Sequence, residues 1–494
     1  MAAGWVKATA RSPRFHLESP WGAAYPAVRG GGRAAAERLA ADSAISNHSV
    51  SGEGSAIAPE AHPFVRHPHR TLIGLSFPVM LSLIPEPLTG LVDTAFVKTL
   101  GAGPVAALGV GASLFSVVVW AFNFLGIGTQ TEVAHAYGAN REEHAGRTTR
   151  MALALGGGIG AAVGLLAWPA LPALCAFMGT TGEVQAVAVR YLEIRLLGGP
   201  AVLATMAALG ALRGVHDMRT PLYIALGVNA ANAVLDALFI TGWGPFPALG
   251  VAGAAWATVV SQWAGTAWAI RAVGRRLHLA TRAEAGEARK LLVVGRDLFL
   301  RTGLLVAFIL FTTRAATRID TDSAAAQQAI RQVWLLTAMA LDAFAASAQS
   351  LVGYFLGAGR ADLARRVCGV ACAWGVATGA AISLCMLQGE GAVAALLVPP
   401  SALGVFQQAW WVAAAWQPLN ALSFVTDGIH WGARDYRYLR NAMFTATATG
   451  IALLGLADSL TLVWAVTAVW VGIRAAFGVA RVWPAVGRAP LRSD

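Results

Sequence analysis

Long apolar runs separated by short polar segments fill the chain from about residue 66 onward. An α-helix needs about 20 apolar residues to cross the hydrocarbon core of a bilayer, and the runs reach that length. The pattern predicts twelve transmembrane helices, near residues 70–99, 103–138, 148–175, 184–213, 218–241, 249–273, 291–317, 324–357, 364–387, 403–431, 436–456 and 459–483. We therefore expect an all-α polytopic membrane protein.

Composition agrees with this pattern and excludes a soluble domain. Of the 494 residues, 56% are hydrophobic and only 13% are charged, and the mean hydropathy is +0.57. The formal net charge of +11 comes without an aromatic-interleaved basic patch, so we expect no nucleic-acid partner. The four cysteines lack the paired spacing typical of metal sites or disulfides, which predicts inert buried thiols.

Basic residues indicate how the helices are oriented in the bilayer. They crowd the loops after even-numbered helices, whereas the loops after odd-numbered helices hold almost none, Lys98 and Arg318 being exceptions. Because Lys and Arg are enriched on the cytoplasmic side of membranes, both termini are predicted to be cytoplasmic. The loops in question contain Arg141, Arg147, Arg150, Arg213, Arg219, Arg271, Arg275, Arg276, Arg282, Arg289, Lys290, Arg360, Arg365, Arg366, Arg434, Arg437 and Arg440.

Residues 1–65 differ in composition from the rest of the chain. They are rich in Ala, Gly, Ser and Arg and contain no apolar run of spanning length. This composition predicts a disordered tail. An Arg-rich, acid-poor start also fits a targeting segment such as an organelle transit peptide, and an over-extended start is a third interpretation. The sequence leaves these alternatives open.

The two halves of the chain repeat each other. Five residues from Gln130 to Arg147 recur 219 positions later, and four from Pro200 to Arg219 recur 218 positions later. Six helices per half give two lobes that enter the membrane in the same direction, related by an axis along the membrane normal, around a central cavity. We expect an N-terminal lobe at 66–275, a cytoplasmic linker at 276–290, a C-terminal lobe at 291–485 and a cytoplasmic tail at 486–494.

Asp93 is the first candidate functional residue. It lies inside the apolar stretch 78–101 with no basic residue within four positions. A carboxylate in hydrocarbon is costly, so an intramembrane acid predicts an ion or proton site. A structural Asp bonded to a neighbouring helix is the alternative. Pro78, Pro85 and Pro87 precede Asp93 on the same helix, and they are expected to bend it or simply to fit its packing.

Other polar groups are predicted to lie in the same outer layer of the membrane as Asp93. Counting along the helices places Asp236, Thr258 and Tyr191 at that depth, with Asn232 one turn deeper than Asp236. The repeat equivalents of Asp93, Asn232, Asp236 and Thr258 are Thr312, Gly450, Leu454 and Ala476, so the polar set belongs to one lobe. Two carboxylates in one pocket cannot both stay charged cheaply, which favours binding of a proton or of Na⁺ by hard oxygen ligands.

Further intramembrane polar residues are weaker candidates. Glu86, Asn123, Asp342 and Asp427 are expected to line the substrate cavity or the lobe interface. Glu193 and Arg195 point in different directions on their helix, which predicts that each has a structural partner elsewhere.

Five stretches carry a resemblance to a known family, and they fall in order between residues 70 and 485: EPLTGLVDTAFV, FNFLGIGTQTEVAHAYG, ALRGVHDMRTP, NAVLD and WLLTAMALDAFAASAQSLVGYFLGAG. They resemble the multidrug and toxic compound extrusion (MATE) family, and more specifically its DinF-type branch. The resemblance implies cation-coupled export of small organic, often cationic, compounds by two six-helix lobes.

The resemblance also implies roles for particular residues. It places the proton or sodium site on Asp93, within VDTA, together with Asn232, Asp236 and Thr258; Tyr191 is carried over only by its place in helix 4. Gln327-Gln328 stands where the family usually has His-Gln at the start of helix 8. This departure argues against an outer-side histidine role. The helix-7 acid of the NorM-type branch is not evident.

The leading hypothesis is an antiporter that exports small organic compounds in exchange for H⁺ or Na⁺, with no cofactor. A lipid-linked oligosaccharide flippase of the same superfamily is the alternative. An enzyme is disfavoured, because HExxH, GxSxG and phosphate-loop motifs are lacking. A membrane scaffold would leave the buried acids unexplained. We expect a monomer in the bacterial inner membrane, or in a plastid envelope if residues 1–65 are a transit peptide.

Overall fold

The computed structural model describes residues 59–242, 247–279, 285–483 and 489–491, and secondary structure in these residues is helical, without strands. The first six spans are named α1 to α6, and four of them are interrupted. Their bounds are Pro68–Leu83 and Pro85–Val97 (α1), Ala102–Ala121 and Phe124–Gly138 (α2), Glu142–Ala167 and Leu171–Phe177 (α3), Gly182–Leu196 and Gly199–Gly214 (α4), Arg219–Thr241 (α5) and Val251–Arg276 (α6).

The second six spans are mostly continuous. They are Ala285–Ile319 (α7), Thr321–Gly357 (α8), Ala361–Leu397 (α9), Leu403–Ala415 and Gln417–Gly432 (α10), Tyr436–Leu454 (α11) and Leu460–Val482 (α12). Each of the twelve predicted segments corresponds to one span. The largest difference is α9, which was expected to end at 387 but continues to Leu397, because the polar residues Gln388 and Glu390 end the apolar run without ending the helix. The prediction of an all-helical membrane protein is confirmed.

Length and apolar composition alone identify six helices of the described chain as able to cross a membrane, or seven if the two parts of α4, which meet at 47°, form one span. The other five spans are interrupted or more polar. Polar groups are tolerated in a span where neighbouring helices rather than lipid surround them. Composition therefore identifies fewer membrane-crossing helices than the twelve spans of the described fold.

The interruption in α1 lies at a proline, as the sequence suggested. The helix stops at Leu83, and a new helix begins at Pro85 after the single residue Ile84. Proline has no amide hydrogen, so it cannot continue the hydrogen-bond ladder, but it is well suited to the first turn of a helix. Pro78 lies inside the first part of α1, which stays helical. The break therefore belongs to Pro85.

The internal repeat is visible in the turns between spans. Left-handed backbone occurs at Asn140 (φ 59°) and at its repeat equivalent Gly359 (φ 71°). It occurs again at His216 (φ 64°) and at its equivalent Arg434 (φ 59°). Left-handed residues other than glycine are uncommon. Two such pairs at the repeat offset show that the halves share the geometry of their connections.

The two halves meet closely at the ends that carry the Arg-rich loops. A Cβ on Gly138 would overlap the carbonyl of Tyr354, and a Cβ on Gly357 would overlap the carbonyl of His135. His135 and Tyr354 are themselves repeat equivalents, so the two glycine contacts are one contact made twice. Arg434 of the second half adds an ion pair with Glu132 of the first, at 2.6 Å. The lobes are therefore packed together at this end.

The residues next to the predicted boundary at residue 65 are helical. A helical turn spans Pro63–Arg66, and Phe64 within it is fully buried. His62 caps this turn by accepting a hydrogen bond from the amide of Phe64, at 3.2 Å. The ring of Phe64 packs against Phe355 near the end of α8. Two apolar residues, Phe64 and Val65, in a short segment were too weak a signal to predict this packing. The rest of the tail, residues 1–58, lies outside the described residues.

Candidate functional site

The carboxyl groups of Asp93 and Asp236 meet inside the first lobe. Asp93 lies four residues before the end of α1, and Asp236 lies five residues before the end of α5. Both are buried, with 7% and 0% of their surface exposed, and their side chains are within hydrogen-bonding reach of each other. Two carboxylates this close repel strongly unless a proton or a cation is shared between them.

Asn232 links this acid pair to α6. One terminal atom of its amide is 3.3 Å from Asp93 Oδ1, and the other is 3.3 Å from the backbone nitrogen of Thr258. A carboxylate accepts and a backbone N–H donates, so the orientation that satisfies both places the amide nitrogen on Asp93. Asn232 is one helical turn from Asp236 and shares its face of α5. The amide therefore fixes one oxygen of Asp93 next to the second acid.

Thr258 contributes a hydroxyl on the other side of Asn232. Its Oγ1 donates to the carbonyl of Ala254, at 2.8 Å within α6, and lies 3.4 Å from Nδ2 of Asn232 in the alternative amide orientation. Because a threonine that bonds back to its own helix is held in one rotamer, the hydroxyl oxygen faces Asn232 in a fixed position. Four of the sequence-predicted residues are thus brought together from three helices.

Tyr191 completes the predicted set from α4. It is buried, with 3% of its surface exposed. Its ring occupies the place that a side chain on Gly111 of α2 would need. The phenol lies close to Arg195 and within electrostatic range of both acids. All five residues predicted as the cation site therefore lie in one group; their role is a proposal taken up below.

Arg195 is the residue that the sequence interpretation missed. Its guanidinium lies within electrostatic range of Asp93, donates to Gln262 Oε1 at 2.9 Å and stacks 4.1 Å from the ring centroid of Phe115. Glu193 instead pairs with Arg190 near the surface. The different directions of Glu193 and Arg195 were anticipated, but a positive charge beside the acid pair was not. Arg195 lies one helical turn after Tyr191, and this spacing was the sequence signal that could have placed it near the site.

The weaker candidates lie elsewhere. Asn123 is exposed at the interruption of α2, and Asp342 is half-buried in α8. Asp427 accepts from Arg301 and from Arg474, the latter at 2.6 Å, so its carboxylate is paired with two arginines. The arginines come from α7 and α12, and sequence spacing gave no sign of them. The side chain of Glu86 lies outside the described residues.

Twelve helical spans in two repeated halves, with a buried carboxyl pair shared between two of the spans, define the class of protein. It is a multi-pass membrane transporter.

Comparison with known proteins identifies the family. Residues 78–238 match the family model MatE. The chain is 32% identical to DNA damage-inducible protein F of Escherichia coli, covering 81% of this chain and 87% of the relative. It is 30% identical to Protein DETOXIFICATION 44, chloroplastic, of Arabidopsis thaliana, covering 83% and 78%. The chain belongs to the MATE family of multidrug and toxic compound efflux transporters.

Solved structures support the fold independently. A crystal structure of MATE in the bent conformation superposes with a TM-score of 0.78, covering 84% of this chain and 95% of that chain, at 21% sequence identity. At this identity the likeness concerns the fold alone.

Proposed function

We propose that the chain is a proton-coupled antiporter that exports small organic compounds by alternating access. The observation that supports this most strongly is the contact between the carboxyl groups of Asp93 and Asp236. The site is built so that binding of one positive charge removes a repulsion, which is what a coupling ion must do. The two carboxyls belong to different helices, so their protonation changes the force between α1 and α5.

Arg195 favours a proton over a sodium ion. With both acids ionised, the guanidinium leaves the group with one negative charge in excess, and a single proton makes it neutral. The oxygens of Asp93, Asn232, Asp236 and Thr258 suit Na⁺ as hard ligands. However, a fixed guanidinium in a low-dielectric site repels a second cation strongly, whereas a proton joins a carboxyl group directly.

The break at Ile84 gives α1 a place to bend when the charge on Asp93 changes. Only this one residue separates the two parts of α1, and Asp93 lies on the part that begins at Pro85. We propose that protonation of the acid pair lets this second part move relative to α5 and displaces substrate from the first lobe.

The contacts between the lobes support an orientation of the protein in the membrane and indicate the side on which the lobes are closed. They lie at the Arg-rich ends, which the positive-inside rule assigns to the cytoplasm, with both termini on that side. The acid pair lies toward the opposite ends of its helices. We propose that the lobes here are closed toward the cytoplasm, with the acid pair nearer the outer surface. A bacterial inner membrane is the proposed location; the plastid envelope is the alternative, since one relative is described as chloroplastic.

A lipid-linked oligosaccharide flippase is the second candidate, and one observation favours it. The two arginines at Asp427 are the kind of group that would bind a pyrophosphate. The acid pair in the other lobe favours export, because an anionic lipid carrier gains nothing from two carboxyls. Movement of a fluorescent polyprenyl pyrophosphate between leaflets of vesicles that contain the protein would support the flippase instead.

The test of ion coupling is transport in reconstituted vesicles, with tetraphenylphosphonium as a cationic probe, benzoate as an anionic probe and the membrane potential clamped. A pH gradient imposed without sodium should drive movement of at least one probe, and a sodium gradient at equal pH should not. Movement that depends on sodium alone would overturn proton coupling. If neither gradient moves either probe, proton uptake by the purified protein after a pH jump provides a second measurement. The unmodified chain should take up protons, and Asp93→Asn should lose this uptake.

A further inference from the structure

A second buried charged group lies in the other lobe. Asp427 of α10 accepts hydrogen bonds from Arg301 of α7 and from Arg474 of α12. The three side chains are 5%, 8% and 4% exposed, respectively. None is repeated in the first lobe, where the equivalent positions are Leu209, Ser82 and Trp256. This arginine cluster therefore belongs to the second lobe alone, just as the acid pair belongs to the first.

The arginine cluster carries more positive than negative charge. Asp342 of α8 lies within electrostatic range of Arg301, Arg474 and Asp427, and also of Arg213 at the end of α4 in the first lobe. With all five groups ionised, three guanidinium groups face two carboxylates, an excess of one positive charge. A buried excess charge is costly unless a counter-charge is supplied. One bound anion would therefore neutralise the cluster.

The unpaired polar atoms of the arginine cluster are donors. Nε of Arg301 and both Nε and Nη1 of Arg474 are buried without a hydrogen-bond partner in the protein. The indole Nε1 of Trp431, whose ring lies 5.2 Å from the guanidinium of Arg301, is unpaired as well. A buried donor left unsatisfied costs free energy. A purely structural ion pair would leave no such surplus, whereas an incoming carboxylate would accept from several of these groups at once.

Aromatic rings surround the arginines. The guanidinium of Arg474 lies 4.5 Å from the ring centroid of Trp470 and 5.7 Å from that of Phe424. Such stacking uses the face of the guanidinium and leaves its in-plane N–H groups available. The surroundings therefore combine charged donors with flat apolar surface, which suits an aromatic or otherwise apolar acid.

We propose that the arginine cluster is a binding site for the carboxylate of a small organic anion. The site lies toward the Arg-rich ends of the helices and reaches across to Arg213 of the first lobe. Arg213 is next to a lobe contact, since its carbonyl accepts a hydrogen bond from Ser350 of α8. Separation of the lobes at this end would move Arg213 away from Asp342 and expose the cluster. An anionic substrate would then enter on the side opposite to the acid pair.

The test is equilibrium binding of benzoate to the purified full chain in phosphatidylcholine nanodiscs. Benzamide has the same shape without the charge, and benzylamine carries the opposite charge. Benzoate alone should bind, with an affinity that falls as salt is raised. Binding of benzamide or benzylamine as strongly as benzoate, or failure of benzoate to bind, would overturn the proposal. Abolition of benzoate binding by phosphatidylglycerol would also overturn it, because a lipid headgroup would then be the occupant.

Variants separate a binding site from a structural network. Arg474→Gln removes donors and one positive charge, and should weaken benzoate binding by about tenfold or more. Asp427→Asn raises the positive excess and should tighten binding several-fold. A structural network predicts loss of stability in both variants and no opposite change in affinity. Arg481→Gln, seven residues further along α12 and paired with Asp435, is the matched control and should bind as the unmodified chain does.

A folding defect would not leave the question open. If Arg474→Gln does not fold, the double variant Asp427→Asn/Arg474→Gln replaces both partners of the ion pair. This variant still lacks the donors of Arg474, so it should bind benzoate more weakly than the unmodified chain. Unchanged binding would contradict the proposal. Benzoate binding at the arginine cluster does not depend on proton coupling at the acid pair. Asp93→Asn should lose proton-driven transport and keep benzoate binding.

Discussion

Gln130 and Gln349 make the same hydrogen bond across the lobe interface in opposite directions. Gln130 donates to the carbonyl of Ala346 at 2.7 Å, and Gln349 donates to the carbonyl of Ile127 at 2.8 Å. Each donor is the repeat equivalent of the other, and so is each acceptor. The repeat is therefore visible in the contact between the lobes as well as in their folds. This contact lies at the end where the lobes would separate in the proposed alternating-access cycle.

Removing both glutamines should loosen this end of the molecule. Each hydrogen bond contributes about 1 kcal/mol, so Gln130→Ala/Gln349→Ala should enlarge the population with separated lobes by about tenfold or more. Spin labels at the exposed positions Glu143 and Arg437 report the distance between the lobes. Cys385 must be replaced by Ser in this background, because it is exposed and not buried as the sequence predicted. Gln185→Ala is the control, because Gln185 bonds to Pro172 within one lobe. An unchanged distance distribution in the double variant would argue against this role.

The paired glycines should be intolerant of a methyl group. Gly138→Ala places a Cβ on the carbonyl of Tyr354, so the lobes must shift apart, at a cost of about 1–3 kcal/mol. We expect a lower midpoint of thermal unfolding. Gly157 in α3 has open space around it, and Gly157→Ala should be neutral or slightly stabilising. Equal midpoints for the two variants would contradict the close packing described here.

Arg195 should set the pH range of transport. A nearby positive charge favours the ionised form of the acid pair, so its removal makes protonation easier. Arg195→Gln should therefore move the pH profile of transport to more alkaline values, by on the order of one pH unit. Arg190→Gln, on the exposed side of the same helix, should leave the profile in place. A shift toward acid in Arg195→Gln would show that the guanidinium does not act on the acid pair.

The contact between His62 and His216 should weaken the fold in acid. Burial, and secondarily the charge of His216, lowers the pKa of His62 to about 3, and burial lowers the pKa of His216 to about 4. An unfolded histidine has a pKa near 6.5, so between about 6.5 and 4 the unfolded chain binds more protons than the folded chain, and stability falls as pH falls.

Thermal unfolding at pH 7.5 and pH 5 checks this. The double variant His62→Gln/His216→Gln should lose part of the difference between the two midpoints, whereas replacement of the exposed His278 by Gln should not. An undiminished difference in the double variant would place the acid sensitivity elsewhere.

The sequence predicted the fold well because its two main signals, long apolar runs and the internal repeat, each extend over many residues. The alternation of apolar runs with short polar segments predicted the twelve spans, although apolar length alone marks only six or seven of them. A constant offset between identities such as Gln130 and Gln349 identified the repeat. Apolar length marks burial in the membrane but not the end of a helix, so α9 was predicted too short. Phe64 was missed because a single buried side chain leaves no periodic pattern.

The grouping of Asp93, Asn232 and Asp236 was predictable for a different reason. The rise per residue of a helix fixes the depth of each side chain in the membrane. Polar side chains at the same depth in one lobe avoid lipid and therefore face each other inside the lobe. Rotation about the helix axis is not fixed by depth, and contacts between distant helices depend on it. Depth alone therefore did not show that Arg195 lies beside the acid pair, or which residues pair with Asp427.

The most direct test of the acid pair as the proton-coupling site is export driven by a pH gradient in vesicles that contain Asp93→Asn. The exposed Asp458, in the turn between α11 and α12, provides the matched control Asp458→Asn. We predict that Asp93→Asn inserts into the membrane normally and does not export, while Asp458→Asn exports as the unmodified chain does. Normal proton-driven export by Asp93→Asn would contradict the account.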